Sequence, residues 1–409
     1  MTFLPFFLAR RLPLVNSVNS RRDTGITVAV TGIALSVIVM IVSISVMTGF
    51  RSEIRQKVIG FDSQLTVSKH VANLTDSSSV LISLEELAPL SGLFPDDVPF
   101  TPTVRQPAIM KSPDNFSGIV VKGIDGTFDG RFIESNMIEG SLPYFSADST
   151  IYDVVISRLT ASVLNLSLGD KVDTYFLADD IYKIRRLRIA GIFDTHFSEY
   201  DRNTAYASLS MLQQLAGVSA ESATAIEING FPDDESIDDA EGVIQNTMLE
   251  QLYAGATDEQ YSIFNIHRTA GIFFNWLALL DTNVKVVISI MAILTLLTII
   301  SSLFIIILRN VNTIGVLKAL GASSWLIREA FILMSVKVLV RGLIAGNIIA
   351  LAIIMVQHYT GIVPLNPDAY YLDKVPVMID WWAIMILNVL IIAVSWLLDT
   401  SPSPRDAHE

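Results

Sequence analysis

Gly25–Thr48 runs for 24 residues without a charge, and Val286–Leu308 for another 23. As a helix the first run is about 36 Å long, against about 30 Å of bilayer hydrocarbon. Phe331–Gln357 is apolar apart from Lys337 and Arg341, which puts the start of its hydrocarbon part near Gly342. Trp381–Leu398 is a shorter fourth run, opened by a Trp pair suited to the membrane interface. The pattern predicts transmembrane helices over 25–50, 284–308, 331–357 and 381–398. They are connected by a 309–330 loop and a 358–380 loop, and followed by a 399–409 tail.

The 51–283 insert changes period. Alternating, β-branched-rich runs predict strands at Gln64–Lys69, Thr103–Lys111, Gly118–Gly123, Ile151–Ile156, Lys171–Phe176, Tyr182–Ile192, Thr204–Ala207, Ala225–Ile228 and Tyr261–Ile266. Helical periodicity appears at Ser83–Leu93, Ser157–Leu166, Ser208–Ala216 and Glu235–Leu252. Leu168-Gly-Asp170 is a turn, and Leu177–Ile181 a hairpin loop. The first membrane helix keeps its pattern past Gly49 as a stalk that Gly60 is expected to end. From about His267 a second stalk runs into the second span. The expected fold is an α-helical membrane protein with four transmembrane helices and a large α+β extracytoplasmic domain between helices 1 and 2.

Charge orients the spans. Residues 1–24 carry four Arg and one Asp and include a short interfacial helix over Thr2–Leu14; 309–341 carries five basic residues and one Glu. Both segments are therefore expected in the cytoplasm, as are both termini. The insert holds 16 basic and 33 acidic side chains, net about −17. The first apolar run is too long for a signal-peptide core, and Met47-Thr48-Gly49 is no cleavage site, so it reads as an uncleaved anchor. Half of the 409 residues, 51%, are hydrophobic, and there is no cysteine, so no disulfide braces the insert.

No catalytic constellation, metal site or cofactor motif is present. The five histidines stand apart in sequence, without H-E-x-x-H, and there is no G-x-x-x-x-G-K-[ST] loop. Any energy from ATP must come from another chain. The acidic run Asp233–Asp239 lacks calcium-loop spacing and reads as a helix N-terminus after Pro232. Nothing points to nucleic acid.

After the second span comes Arg309-Asn-Val-Asn-Thr-Ile-Gly-Val-Leu-Lys-Ala-Leu-Gly-Ala322. It reads as a short amphipathic helix, either resting on lipid or docking into a partner's groove, and docking is preferred. Ile314, Leu317 and Leu320 share a face by spacing, Gly315 and Gly321 permit close approach, and Lys318 can meet acidic groups. Lys337 and Arg341 are one turn apart and read as snorkelling cations. Gly342 and Gly346 permit close helix packing, between subunits or within one. Phe50, Ile54, Phe273, Phe274 and Trp276 sit where the stalks leave the bilayer. They read either as stalk packing or as an apolar vestibule.

The segment Ile314–Ala322 resembles the cytoplasmic coupling helix of the MacB/FtsX superfamily of ABC-transporter permeases. Val28-Ala-Val-Thr-Gly-Ile-Ala-Leu35, Val46-Met-Thr-Gly-Phe50 and Lys57-Val-Ile-Gly-Phe61 narrow the resemblance to lipoprotein-releasing permeases of the LolC/LolE kind. Phe274-Asn-Trp276, Leu280-Asp281 and Gly342–Asn347 extend it. The resemblance implies a bacterial inner-membrane permease paired with a second permease subunit and a cytoplasmic ABC ATPase dimer that binds the ATP. Arg309 and the helix face would couple to that ATPase, and a lipoprotein would be the cargo. A MacB-like exporter of periplasmic peptides or drugs, and an FtsX-like activator of a cell-wall hydrolase, stay open. Two departures stand out. The hairpin loop at Leu177–Ile181 is short where the carrier-recruiting subunit has a long one, so a periplasmic carrier remains an open partner. The tail carries three acids and one Arg instead of a basic motif.

Overall fold

In the computed structural model, residues 24–69, 82–83, 90, 92–95, 98–145, 150–178, 181–217, 219–255 and 260–400 are described. The expected Thr2–Leu14 helix, most of Ser83–Leu93, the hairpin tip at 179–180 and the tail from 401 lie outside them. In chain order the elements are α1 (Thr24–Phe61), β1 (Leu65–Lys69), β2 (Ile82–Ser83), β3 (Phe100–Lys111) and β4 (Phe116–Ile124), followed by α2 (Arg131–Ser135), β5 (Met137–Gly140), β6 (Asp153–Ser157) and α3 (Arg158–Leu164). Next come β7 (Lys171–Ala178), β8 (Ile181–Phe193), α4 (Ser198–Asp201), β9 (Thr204–Ser208), α5 (Leu209–Ala216), β10 (Ser222–Ala223) and β11 (Ala225–Ile228). They are followed by α6 (Asp234–Tyr253), β12 (Tyr261–Asn265) and α7 (Ile266–Thr269). The chain closes with α8 (Gly271–Arg309), α9 (Val311–Ala319), α10 (Ser324–Thr360), α11 (Pro367–Tyr370) and α12 (Trp381–Thr400).

Two compact units result. One comprises 53–275 with Leu365–Asp373; the other holds the remaining described residues.

In the outer unit the pairings close a ring of six strands, β3–β4–β9–β6–β8–β7 and back to β3. The β4–β9 and β6–β8 pairs are parallel; the others in the ring are antiparallel. β11, β1 and β12 extend the sheet from β3. One side of the ring is filled by Val104, Met110, Val121, Val154, Phe176 and Leu187, together with Leu164 of α3 and Leu212 and Leu215 of α5. Alternation put those strand residues inward, as a half-buried pleat requires. The helices are set by local chemistry. The Ser157 hydroxyl accepts from Thr160 N to start α3, and Asn165 ends it in the left-handed region. Asp233 and Ser236 form a capping box at α6, so the acidic run is a helix start. The sequence missed α2, β5 and α4, all too short to show a period.

In the membrane unit, α1, α8 and α10 contain spans long and apolar enough to cross a bilayer: Ile26–Phe61, Gly271–Arg309 and Ser324–Thr360. α12 is a further apolar helix of 20 residues. Ile33, Val37, Met40, Met334, Val338, Leu343 and Ile391 are core positions. Gly342 and Gly346 both face α1 at close range. A Cβ on Gly342 would lie 2.7 Å from Ile33 Cγ2, and one on Gly346 would lie 2.8 Å from Val37 Cβ. The side-chain amides of Asn347 and Asn388 exchange hydrogen bonds at 2.8 and 3.0 Å, joining α10 to α12. The third span is unbroken from Ser324, with Lys337 half-buried and Arg341 exposed.

Candidate functional site

The outer unit contains a buried ionic node at the C-terminal end of α1. β4 turns Lys122 inward, where it is 3% exposed. Its Nζ donates to the carbonyl of Phe61 at 3.0 Å and to Glu227 Oε2 at 2.7 Å. A cation is favoured there, because the last carbonyls of a helix carry negative partial charge and lack intrahelical donors. Glu227, from β11, takes Arg105 of β3 on its other oxygen at 2.9 Å. Arg105 also reaches Asp62 Oδ1 at 2.8 Å, and Asp62 Oδ2 accepts from Tyr200 OH at 2.5 Å. Phe61 is 2% exposed, stacked on Tyr200 at 4.8 Å and edge-on to Phe132 at 5.4 Å.

Burial pulls the Lys122 ammonium below its ordinary value, against the attraction of Glu227. Burial pushes the Asp62 carboxyl up, but Arg105 and the Tyr200 hydroxyl outweigh it and hold the group below the usual carboxylate range. Burial and the Asp62 charge both raise Tyr200. Clefts of about 330 and 450 Å³ flank the node and share Asp62 and Lys122. Four charges join the end of α1 to three strands, and removing one partner of the fully buried Lys122–Glu227 pair costs about 3–5 kcal/mol.

Spacing alone does not single out these residues. The signal was present as a lone charge inside an apolar strand, in Ile119-Val-Val-Lys-Gly-Ile124 and again in Ala225-Ile-Glu-Ile228. Gly60 also differs from expectation. α1 passes through it to Phe61, and Gly60 is there because a side chain would collide with the Phe132 ring.

In the membrane unit, Arg309 closes α8 and α9 follows as a separate short helix. The expected docking face of Ile314, Leu317 and Leu320 is divided. Ile314 and Leu317 are half-buried against the apolar cluster of the bundle, whose supply of apolar surface draws them in. Leu320 is 79% exposed and Val316 59%. Gly321, φ +87°, is there for a backbone reason rather than for close approach. Its N–H bonds to Lys318 O and that of Ala322 to Leu317 O, both at 3.0 Å, which is a Schellman ending. Gly315 has open space around it, and Lys318 is exposed.

The five vestibule residues are divided between the two units. In the membrane unit, Phe50 is buried and meets Trp276 edge-on at 5.9 Å. In the outer unit, Ile54 and Phe273 are buried, Phe273 against Phe197 at 4.8 Å, because aromatic neighbours compete for the same surface. Phe274 is half-buried beside His267, and Trp276 is also half-buried.

Comparison with known proteins matches residues 26–247 to the MacB-like periplasmic core domain and 285–405 to the FtsX-like permease C-terminal domain. Lipoprotein-releasing system transmembrane protein LolC of Xylella fastidiosa (strain Temecula1) is 19% identical, over 93% of this chain and 91% of its own length. LolE of Haemophilus influenzae is 20% identical, over 98% and 97%. The solved periplasmic region of MacB from Actinobacillus actinomycetemcomitans aligns with a TM-score of 0.33 at 14% identity, covering 54% of this chain and 98% of that one. The chain therefore belongs to the MacB/FtsX superfamily of ABC-transporter permease subunits, with a MacB-like core domain inserted before an FtsX-like membrane domain.

Proposed function

We propose that this chain is the membrane subunit of an ATP-driven complex that releases lipoproteins from the inner membrane. The observation that carries the reading is full-length relatedness to LolC and LolE permeases, across both the core domain and the membrane helices. The chain would work with a second permease subunit, identical or related, and with a pair of cytoplasmic ATPase subunits that bind the nucleotide. Four membrane helices are proposed, with the Asn347–Asn388 pair supporting α12 as the fourth. The basic flanks favour cytoplasmic termini and a cytoplasmic α9. Val316, Leu320, Lys318 and the open side of Gly315 would form the ATPase contact. Movement of α9 would pass through the helices and arrive in the outer unit at the Lys122 node.

Phe274 and Trp276, half-buried, are the vestibule positions left to meet an acyl chain. Each methylene withdrawn from lipid needs about 0.8 kcal/mol of apolar contact or external work. The test is a photoactivatable residue at 274 in native membranes, with and without ATP hydrolysis. Crosslinked lipoproteins support this reading. Crosslinked soluble periplasmic peptides replace it with a MacB-like exporter, the alternative favoured by the core-domain match.

A further inference from the structure

The segment Ile228-Asn-Gly-Phe231, which leads from β11 toward α6, contains the only Asn-Gly pair in the chain. Such a pair is prone to deamidation, because glycine has no Cβ to shield its nitrogen from the neighbouring side-chain amide. The fold requires both residues. Gly230 has φ of +110°, where a side chain would be strained, and Asn229 Oδ1 accepts from Gln64 N at 2.9 Å.

Gln64 lies between the end of α1 and the start of β1 and is 5% exposed. Its Oε1 accepts from Gly230 N and from Phe231 N, both at 2.8 Å, and its Nε2 donates to Phe231 O at 2.7 Å. Its carbonyl accepts from Ile266 N at 3.0 Å, which fixes the glutamine in turn. Asn229 is half-buried and Gly230 exposed, so water reaches the pair. Both line the 450 Å³ cleft, together with Asp62, Asp129 and Glu227.

Deamidation begins when Gly230 N, losing its proton to a base from solvent, attacks Asn229 Cγ. A C–N bond forms and the side-chain nitrogen leaves as ammonia. Water then adds to either carbonyl of the five-membered imide and opens it to aspartate or isoaspartate. In the closed turn the proton that must leave points at Gln64 Oε1, an amide oxygen too weakly basic to take it. Asn229 Oδ1 is anchored to the main chain of the same glutamine. Attacking nitrogen and target carbon are thus both tethered to Gln64.

We propose that Asn229–Gly230 is a latent deamidation site, kept closed by Gln64 and opened when this turn parts from the α1–β1 junction. Aspartate would add a carboxylate to a cleft that three others already line. Isoaspartate would also route the main chain through the former side chain, adding a methylene before Gly230 and pulling its nitrogen off Gln64 Oε1. The conversion is one-way, so product accumulates with each opening.

Peptide mapping by mass spectrometry, resolving asparagine, aspartate and isoaspartate at 229, tests this on full-length protein incubated in mildly alkaline detergent solution. Conversion in the native protein should be at least about tenfold slower than in the denatured chain, because attack needs a local opening. Gln64→Ala should raise the native rate on the order of tenfold, since the hydrogen bonds that hold the turn are lost, while hydrogen exchange in β3 and β4 stays unchanged. Gln64→Asn withdraws the amide by one methylene; it should raise the rate too and carries the test if Gln64→Ala fails to fold. Native conversion as fast as in the denatured chain, or no acceleration in a folded Gln64 variant, overturns the proposal.

Discussion

Lys122 Nζ lies 3.0 Å from the carbonyl oxygen of Phe61, so a buried strand cation closes the last turn of the first helix. The same ammonium neutralises Glu227, which is 1% exposed. Lys122→Met leaves that carboxylate to Arg105 alone and uncaps the helix. It should destabilise the protein by about 3–5 kcal/mol, the usual cost of breaking a buried pair. Lys122→Met with Glu227→Met should recover much of the loss, since a buried pair is often replaceable by well-packed apolar groups. Denaturant or thermal unfolding of the full-length protein in detergent measures both. Equal instability of the single and double variants would count against an ionic node.

Acid should weaken the same node. Asp62 is held below its ordinary value of 3.8, so its stabilising contribution is complete above that value. It disappears as the pH falls through the lower value of the folded state. Asp201 works in the opposite direction. Burial raises its carboxyl, so it opposes folding as the pH climbs through 3.8. In unfolding measured from pH 7 to 3, the stability gap between the unmodified protein and Asp62→Asn should be constant to about pH 4 and then close. A gap that does not change with pH would remove the carboxylate from the account.

The outer fold was legible where the period was long. β3, β4, β7 and β8 were read to within a few residues because their inward positions bury one face of a pleat. Closure of the ring was not legible, since the β7–β3 pairing joins residues far apart in the chain and no local pattern encodes it. The node was missed for a related reason. Lys122 and Glu227 lie in separate strands, and only folding shows that each answers the other's charge. On α9, spacing placed Ile314, Leu317 and Leu320 on one face, but the bundle took two of them. Amphipathicity shows that a face is apolar without showing which neighbour will cover it.

The reciprocal Asn347–Asn388 amides give a test of the fourth helix. Each nitrogen also donates within its own helix, Asn347 to Leu343 O and Asn388 to Ile384 O, at 2.7 and 2.8 Å. Replacing either residue by Leu should cost about 0.6–2 kcal/mol, the range of interhelical hydrogen bonds in membranes. Replacing both should cost little more than one, because neither amide is then left alone. A double-mutant cycle read by reversible unfolding in bicelles gives the coupling. Strictly additive losses would mean that α10 and α12 do not share this contact in a bilayer.

Coupling to an ATPase is best tested by contrasting two leucines of the α9 region. Leu317 packs into the bundle cluster, so Leu317→Asp buries an unpaired charge and should lower both stability and membrane yield. Leu320 is 79% exposed, so Leu320→Asp should leave folding and insertion intact. If the exposed side of α9 enters a groove on the ATPase, that carboxylate must be desolvated in the complex. A penalty of about 1.4 kcal/mol or more lowers affinity at least tenfold. Quantitative recovery of the ATPase with tagged full-length permease, beside a melting curve for each variant, separates the two effects. Loss of ATPase from Leu320→Asp with an unchanged melting curve assigns α9 to the contact. Full recovery of ATPase would mean that the exposed side of α9 is not a docking surface, and the proposed route from nucleotide to outer unit would have to begin elsewhere.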